Sequence, residues 1–175
     1  MLIDKLRSTI RDIPDFPQSG IVFKDITPIL KDSELCSDII EEFANQLDGI
    51  AIDVVAGVES RGFLFGLMLA SRLGLPFVPI RKQGKLPYQT IAEGYKLEYG
   101  QAVIEVHADA FEKGDKVLIH DDLLATGGTV VAASKLVERA GAQVAGFSFL
   151  ISLDFLNAKS RLRRFSEDII TLINY

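Results

Sequence analysis

The fold is decided by the stretch Val117-Leu118-Ile119-His120-Asp121-Asp122-Leu123-Leu124-Ala125-Thr126-Gly127-Gly128-Thr129. Its apolar start predicts a buried strand, which is followed by two acids, a loop of small residues and a helix. Such a loop at a helix N-terminus exposes several backbone N–H groups. Together with threonine hydroxyls and the helix dipole, these groups can hold a phosphate dianion. The residues of this predicted phosphate loop are Ala125, Thr126, Gly127, Gly128 and Thr129.

On both sides of this stretch, short apolar runs alternate with segments of helical periodicity. This alternation predicts right-handed crossovers and an α/β fold, with a central parallel sheet covered by helices on both faces. Ligands of such sheets lie beyond the carboxyl ends of the strands, where the acids and the phosphate loop fall. The predicted strands are 52–58, 77–80, 117–119 and 144–151, and the predicted helices are 63–73 and 130–140, the second closed by Gly141.

The N-terminal part has another pattern. Apolar residues from Leu2 to Ile13 have helical spacing, and Pro14 should stop that helix. An irregular turn rich in helix breakers follows at 15–20. A second helix should begin near Asp32 or Ser33, either of which can cap it. Its predicted buried stripe is Leu35, Ile39, Ile40, Phe43 and Leu47. Since no repeat or linker interrupts the chain, we expect one domain over 1–175.

Composition excludes several classes of function. The chain has 175 residues, 48% of them apolar, which suits one globular domain. A net charge of −5 argues against nucleic acid as the main partner. Cys36 is the only cysteine, so no disulfide can form within the chain, and His107 and His120 are too far apart for the usual zinc patterns. The charged N-terminus and the short apolar segment 62–70 predict no signal peptide, no membrane partner and a cytoplasmic location.

The two acids distinguish this loop from other phosphate sites. Asp121 and Asp122 repel a phosphate, but they can accept hydrogen bonds from sugar hydroxyls or hold a hydrated Mg²⁺. Acids and glycines can also merely end a strand and begin a helix, although the full order of motifs disfavours that reading. A Walker P-loop is excluded, because no Gly-Lys-Ser or Gly-Lys-Thr follows, and the Rossmann fingerprint is missing. The loop is predicted to bind one phosphate on a ribose.

The stretch 117–129 closely resembles the phosphoribosyl-pyrophosphate motif of type I phosphoribosyltransferases, in its adenine-specific form. His120 departs from the hydrophobic residue usual there, and we expect it to pack or to make a local hydrogen bond. The resemblance implies the type I fold with a small N-terminal hood at about 1–30. It also implies transfer of 5-phosphoribosyl from phosphoribosyl pyrophosphate to adenine, giving AMP and pyrophosphate in purine salvage.

The resemblance extends over nearly the whole chain and implies further site residues. Residues 15–26 resemble the adenine-binding segment, in which Phe23 packs on the purine and the backbone of Val22 and Lys24 reads its edge. Residues 57–63 resemble the pyrophosphate loop, with a cis peptide between Glu59 and Ser60. The implied pyrophosphate-binding residues are Glu59, Ser60, Arg61, Arg81, Lys82 and Lys85.

The remaining implications concern catalysis and assembly. Residues 97–100 resemble a signature in which Glu98 approaches adenine and manages its proton, and the stretch up to Tyr95 resembles a lid. Arg61, Asp121 and Asp122 complete the catalytic set. Mg²⁺ is expected mainly through the substrate, with a water-mediated link to the two aspartates. A homodimer is expected from the family.

Two alternatives remain open from the residues. One is a related phosphoribosyltransferase that uses guanine, xanthine or hypoxanthine, since base choice rests on resemblance alone. The other is a non-catalytic regulator that senses the phosphoribosyl ligand. Retention of Arg81, Lys82, Lys85 and Glu98 and the absence of a helix-turn-helix pattern argue against the regulator.

Overall fold

The computed structural model of the chain describes residues 1–97 and 100–175. The chain forms two compact units, residues 1–42 and residues 43–175. Its organisation as one domain with a hood at about 1–30 stays a prediction. None of the helices in the described ranges combines the length and the apolar character needed to cross a bilayer.

The first unit contains a helix and a small hairpin. Helix α1 spans Leu2–Thr9, and strand β1 (Arg11–Pro14) pairs antiparallel with β2 (Val22–Asp25). The helix predicted as far as Ile13 is therefore too long, because Ile10 is already extended, with ψ 130°, and Ile13 pairs with Phe23 in the hairpin. The ring of Pro14 disfavours helical geometry at the residue before it, and the β2 strand takes up the hydrogen bonds of β1.

Helix α2, Ser33–Gln46, begins as predicted. A carboxyl oxygen of Asp32 accepts the backbone N–H of Leu35 at 2.9 Å, which is the N-cap bond expected of an aspartate at this position. The predicted apolar stripe is buried throughout its length. Cys36 lies on the same helix, and its thiol is 3.5 Å from the carbonyl oxygen of Ile29. The thiol is buried, as expected of a core residue.

The second unit is built on a seven-stranded sheet in the order β5-β6-β4-β3-β7-β8-β9. Neighbouring strands from β4 through β3, β7 and β8 to β9 run parallel, whereas β6 is antiparallel to both β4 and β5. The sheet is therefore mostly parallel, with an antiparallel hairpin at one edge. The strands are β3 (Val54–Val58), β4 (Phe77–Lys82), β5 (Thr90–Lys96), β6 (Gln101–His107), β7 (Lys116–Leu124), β8 (Gln143–Ser152) and β9 (Ile169–Asn174).

Three helices follow the strands of this unit: α3 (Gly62–Leu73), α4 (Gly128–Arg139) and the short α5 (Lys159–Leu162). Alternation along β7 assigns its two faces. Val117 and Ile119 belong to the apolar cluster that includes the buried side of α4. His120 points the other way, where Gly66 of α3 lies so close that an added Cβ would be 3.4 Å from the imidazole ring. The sheet is thus covered by α4 on one face and by α3 on the other.

Candidate active site

Three connections meet at the carboxyl edge of the sheet, because β3 lies between β4 and β7. They are the diphosphate loop, residues 57–62, after β3; the basic turn, residues 81–87, at the end of β4; and the phosphate loop, residues 125–129, after β7. The sequence placed functional residues on all three. The strand order brings these residues to one edge, as expected of a parallel α/β sheet.

The phosphate loop presents backbone donors. Gly127 has φ +80°, a conformation that favours glycine, and α4 begins at the next residue. Within the described part of the chain, the N–H groups of residues 126–130 donate to no backbone carbonyl. These donors at the positive end of a helix dipole form a site for a dianion.

The acidic pair lies at the end of β7. Asp122 is buried, with 3% of the residue exposed. Its Oδ2 lies 3.0 Å from Arg61 Nε, although no group within the described ranges reaches this oxygen in hydrogen-bond geometry. The two groups therefore form an ion pair held by charge more than by a directed hydrogen bond. Asp121 faces the start of α3, since a Cβ on Gly62 would lie 3.0 Å from its Oδ1.

Burial and mutual repulsion set the charge of this pair. Burial raises the pKa of Asp121 well above its usual value, and the charge of Asp122 raises it further. Burial also raises the pKa of Asp122, while the Arg61 guanidinium opposes that increase. Both shifts make full ionisation of the pair less favourable than it is for two separate aspartates. Cations or hydroxyl donors that arrive with a substrate would favour the ionised forms.

The diphosphate loop contains the cis peptide that the resemblance implied, between Glu59 and Ser60. The Glu59 carboxylate faces the basic turn. Its Oε2 accepts the backbone N–H of Lys82 at 2.7 Å and lies 3.3 Å from Arg81 Nε. Partial burial raises the pKa of Glu59, but the Lys82 N–H and the Arg81 guanidinium outweigh burial, so the pKa lies below its usual value. This carboxylate anchors the turn.

The basic turn is fixed at two further points. Arg81 Nη1 donates to the Lys85 carbonyl at 3.2 Å, and the Gly84 N–H donates to Glu105 Oε2 at 3.1 Å. Glu105 is buried in β6, and no sequence motif marked it, because nothing predicted the hairpin that carries it. The side chains of Lys82 and Lys85 are exposed. The turn therefore has a fixed backbone with cationic side chains open to solvent.

His120 makes the local contacts expected of it. Its Nδ1 lies 2.8 Å from Ser148 Oγ, and its ring packs edge-on against Phe43 with centroids 5.4 Å apart. Burial lowers its pKa from 6.5 to about 3, so the ring is neutral at physiological pH. His120 is a core residue beneath the acidic pair.

Four predicted site residues do not belong to the described part of the second unit. Val22, Phe23 and Lys24 lie in β2 of the first unit, where Phe23 packs edge-on against Phe16 and Lys24 pairs with Asp12 at 2.7 Å. Their role at the purine stays a prediction. Glu98 lies outside the described residues.

The segment predicted to be a lid contains strand β5, paired with β6. Glu93 of β5 forms ion pairs with Lys135 and Arg139 of α4, at 3.2 and 3.0 Å. Arg161 was also missed: its Nη1 donates to the Thr126 carbonyl of the phosphate loop at 2.8 Å. The sequence offered no signal for Arg161, since it lies beyond every recognised motif.

Known proteins resemble this chain over nearly its whole length. The phosphoribosyl transferase domain family matches residues 25–170. An adenine phosphoribosyltransferase of Cytophaga hutchinsonii is 53% identical over 175 residues, which are 100% of this chain and 97% of that protein. Another, of Caldanaerobacter subterraneus subsp. tengcongensis, is 51% identical over the full length of both chains.

Solved structures agree with this comparison. The adenine phosphoribosyltransferase of Thermoanaerobacter pseudethanolicus has a TM-score of 0.95 and 50% identity, with 99% of each chain covered. The Saccharomyces cerevisiae enzyme, complexed with an imino-altritol bisphosphate and adenine, has a TM-score of 0.92 and 39% identity, with 98% of each chain covered.

Proposed function

The chain belongs to the adenine phosphoribosyltransferase family, and from that premise we propose how its site works. It transfers 5-phosphoribosyl from phosphoribosyl pyrophosphate to adenine, giving AMP and pyrophosphate, a pentosyltransferase reaction of purine salvage. The observation that carries the proposal is the run of N–H groups at residues 126–130, which donate to no backbone carbonyl of the described residues and which follow a buried carboxylate held by an arginine. A ribose phosphate needs hydrogen-bond donors for its phosphate and, one sugar length away, acceptors for its hydroxyls.

The phosphate loop takes the 5-phosphate of the sugar. Its N–H groups supply the donors, and the hydroxyls of Thr126 and Thr129 can add two more. Because Gly127 and Gly128 carry no side chain, the phosphate can approach the backbone closely. Ala125 completes the turn.

Asp121 and Asp122 accept hydrogen bonds from the ribose hydroxyls. Cleavage at the anomeric carbon builds positive charge on the sugar, as in oxocarbenium-like transition states. Buried carboxylates close to that charge stabilise it more than the neutral ground state. The raised pKa values of the pair are compatible with this role, since a developing cation favours their ionised forms.

The diphosphate leaving group is held by Arg61, Arg81, Lys82 and Lys85, near Ser60. A guanidinium can bind two oxygens of a diphosphate at once. In the structure Arg61 pairs with Asp122, and Arg81 pairs with Glu59. Substrate binding therefore requires these arginines to exchange protein carboxylates for diphosphate oxygens.

Mg²⁺ fits this donor set as an ion that arrives with phosphoribosyl pyrophosphate. The described residues contain no cluster of three or more His, Cys, Asp or Glu side chains able to hold a metal. The carboxylate oxygens of Asp121 and Asp122 are hard ligands of the kind Mg²⁺ prefers, either directly or through water. When bound, the ion neutralises charge on the departing diphosphate.

Adenine is proposed to bind at the β2 segment. Phe23 would pack on the purine, the backbone of Val22 and Lys24 would read its edge, and Glu98 would manage its proton. Holding two reactants in the right geometry removes much of the entropic barrier to their reaction. No covalent nucleophile is required.

We also propose a cytoplasmic homodimer. The outer face of α3 exposes Leu64, Leu67 and Met68 to 42%, 57% and 39%. These residues share one face of the helix by their spacing, and apolar helix faces of this kind commonly bury against a second copy. Sedimentation analysis of the wild type and of Leu67→Glu tests this assignment. A monomeric wild type would reject it.

The experiment that tests the function is AMP formation from adenine, phosphoribosyl pyrophosphate and Mg²⁺, in competition with guanine, hypoxanthine and xanthine. Adenine should react at least tenfold more efficiently than any competitor, by about 1.4 kcal/mol or more in transition-state binding. Chelation of Mg²⁺ should abolish turnover. Preference for another base would refute the adenine assignment, and binding without turnover of any base would favour the sensor.

A further inference from the structure

The outer side of the phosphate loop is covered by residues 154–161, the segment that follows β8. A Cβ on Gly127 would lie 3.1 Å from the Cβ of Ala158, which is itself buried. Three residues further on, Arg161 Nη1 donates to the Thr126 carbonyl at 2.8 Å. The loop thus has an outer side in contact with this segment and an opposite, inner side. Among the described residues, no backbone carbonyl accepts from its N–H groups at 126–130.

Residues 154–161 are anchored to the sheet independently of the loop. Asp154 accepts a hydrogen bond from Ser152 Oγ at 2.6 Å and pairs with Lys159 at 2.9 Å. Lys159 also donates to Asn174 Oδ1 in β9 at 3.1 Å. Arg161 therefore extends from a segment that is held by β8 and β9 in addition to its contacts with the phosphate loop.

The hydrogen bond from Arg161 constrains more than one carbonyl. The Thr126 carbonyl and the Gly127 N–H belong to one trans peptide plane, in which they point in opposite directions. Gly127, at φ +80° and without a side chain, leaves this plane free to rotate about its neighbouring bonds. With the carbonyl turned inward, its oxygen would face the phosphate and repel it. With the carbonyl held outward by Arg161, the Gly127 N–H points to the inner side.

We propose that Arg161 is a positioning residue for phosphoribosyl pyrophosphate, acting through the Thr126 carbonyl to aim the Gly127 N–H at the 5-phosphate. This inference rests on the proposed function only in its choice of ligand. Arg161 acts on affinity for the phosphorylated sugar, and it contributes nothing to adenine binding or to the departure of diphosphate.

The matched comparison is Arg161→Gln against Arg163→Gln. Arg163 lies two residues further along, is exposed and pairs with Glu167 at 3.6 Å, away from the loop. Arg161→Lys is the conservative variant, since an ammonium can still donate to the Thr126 carbonyl. Three readouts apply: KM for each substrate and kcat, the dissociation constant of ribose 5-phosphate, and the amide resonance of Gly127 during titration with ribose 5-phosphate.

Arg161→Gln should raise KM for phosphoribosyl pyrophosphate and the dissociation constant of ribose 5-phosphate about tenfold, as expected for one charge-assisted hydrogen bond. KM for adenine should stay the same, and the Gly127 amide should lose most of its shift on ligand binding. Arg161→Lys should recover part of the affinity, and Arg163→Gln should match the wild type. A contribution by charge alone would disappear at high salt, whereas a fixed peptide orientation persists.

Equal KM values and equal dissociation constants for Arg161→Gln and Arg163→Gln would overturn the inference. So would an unchanged Gly127 amide response, or a difference in affinity that disappears completely at high salt. If Arg161→Gln does not fold, the comparison of Arg161→Lys with Arg163→Lys decides in the same way. The ribose 5-phosphate measurements need no catalysis. A wild type that makes no AMP would therefore reject the proposed function while leaving this inference to be judged by binding.

Discussion

Two neighbouring regions of one sheet edge are both suited to bind phosphate groups, but they use different kinds of chemical group to do so. The phosphate loop uses backbone N–H groups, and those of residues 126–130 have no backbone acceptor in the described structure. The diphosphate loop and basic turn use side-chain cations, and Arg61 and Arg81 pair with Asp122 and Glu59. The first region is ready for its ligand, whereas the second must exchange internal partners.

This difference separates tight binding of the sugar phosphate from easy release of the diphosphate. A backbone site needs no rearrangement, so its donors are available at the first encounter. A paired site loses part of its gain when protein ion pairs are broken, and it releases its ligand more easily for the same reason. The arrangement suits a substrate whose ribose phosphate stays with the product while its diphosphate leaves.

The largest expected effect tests the paired region. Asp122→Asn removes the carboxylate that pairs with Arg61. Since we propose that this carboxylate also accepts hydrogen bonds from the sugar, kcat should fall about 100-fold or more. KM for phosphoribosyl pyrophosphate should change less than kcat, because the proposed interaction strengthens as positive charge develops on the sugar. Steady-state kinetics check both values, with Asp53→Asn, at the amino end of β3, as the control. A kcat close to that of the wild type would contradict the role of Asp122.

The next effect tests the backbone region. Gly127→Ala must place a side chain at φ +80° and 3.1 Å from Ala158, so the loop has to shift. Gly114→Ala has φ +87° with open space around it and is the matched control. Both should lose about 1–2 kcal/mol of stability, from the left-handed backbone alone. Only Gly127→Ala should raise KM for phosphoribosyl pyrophosphate, by about tenfold. An equal KM in the two variants would show that the loop need not be preorganised.

A smaller effect should test whether Arg81 exchanges Glu59 for the diphosphate. Glu59→Gln keeps an acceptor for the Lys82 N–H but removes the charge that holds Arg81. KM for phosphoribosyl pyrophosphate should fall about two- to fivefold with kcat unchanged, because a partly exposed ion pair of this kind is worth about 1 kcal/mol or less. Glu167→Gln, which removes the partner of Arg163, is the control. A raised KM would mean that Glu59 aids the diphosphate and does not compete with it.

The smallest kinetic effect should come from the strand that supports both regions. The double variant His120→Val, Ser148→Ala replaces a buried hydrogen-bonded pair with apolar groups, so activity at pH 7.5 should stay the same. Its stability should depend less on pH. His120 has a pKa of 6.5 when unfolded and about 3 when folded, so as pH falls between these values only the unfolded state gains the proton.

The wild type therefore loses stability over that range, by up to about 1.4 kcal/mol per pH unit from this group. The full contribution is present above pH 6.5, and the loss ends near the folded pKa. Urea unfolding at several pH values measures the slope for both proteins. Parallel slopes would show that His120 does not titrate in this way.

The same contrast explains what the sequence could predict. The strand, acids and phosphate loop were identifiable because a backbone site is encoded locally, by small residues between a strand and a helix. The partners of Arg61 and Arg81 could not be predicted. Arg61 meets Asp122, and Arg81 meets Glu59, only because the strand order places the ends of different strands side by side. Hairpin β5–β6 and strand β9 were missed because their apolar alternation is weak, and Glu105 and Arg161 were missed with the segments that carry them. The N-terminal helix was predicted to be too long, because the spacing of apolar residues contains no information on the pairing of β1 with β2.

The burial of Cys36 has a practical consequence for measuring the partner exchange. It is the only cysteine of the chain, and burial raises the pKa of its thiol, which lowers the fraction of reactive thiolate at neutral pH. A cysteine introduced at an exposed position would then be the preferred site for a maleimide dye. One engineered thiol on the basic turn would report its movement by fluorescence, with no need to strip the protein of native cysteines first.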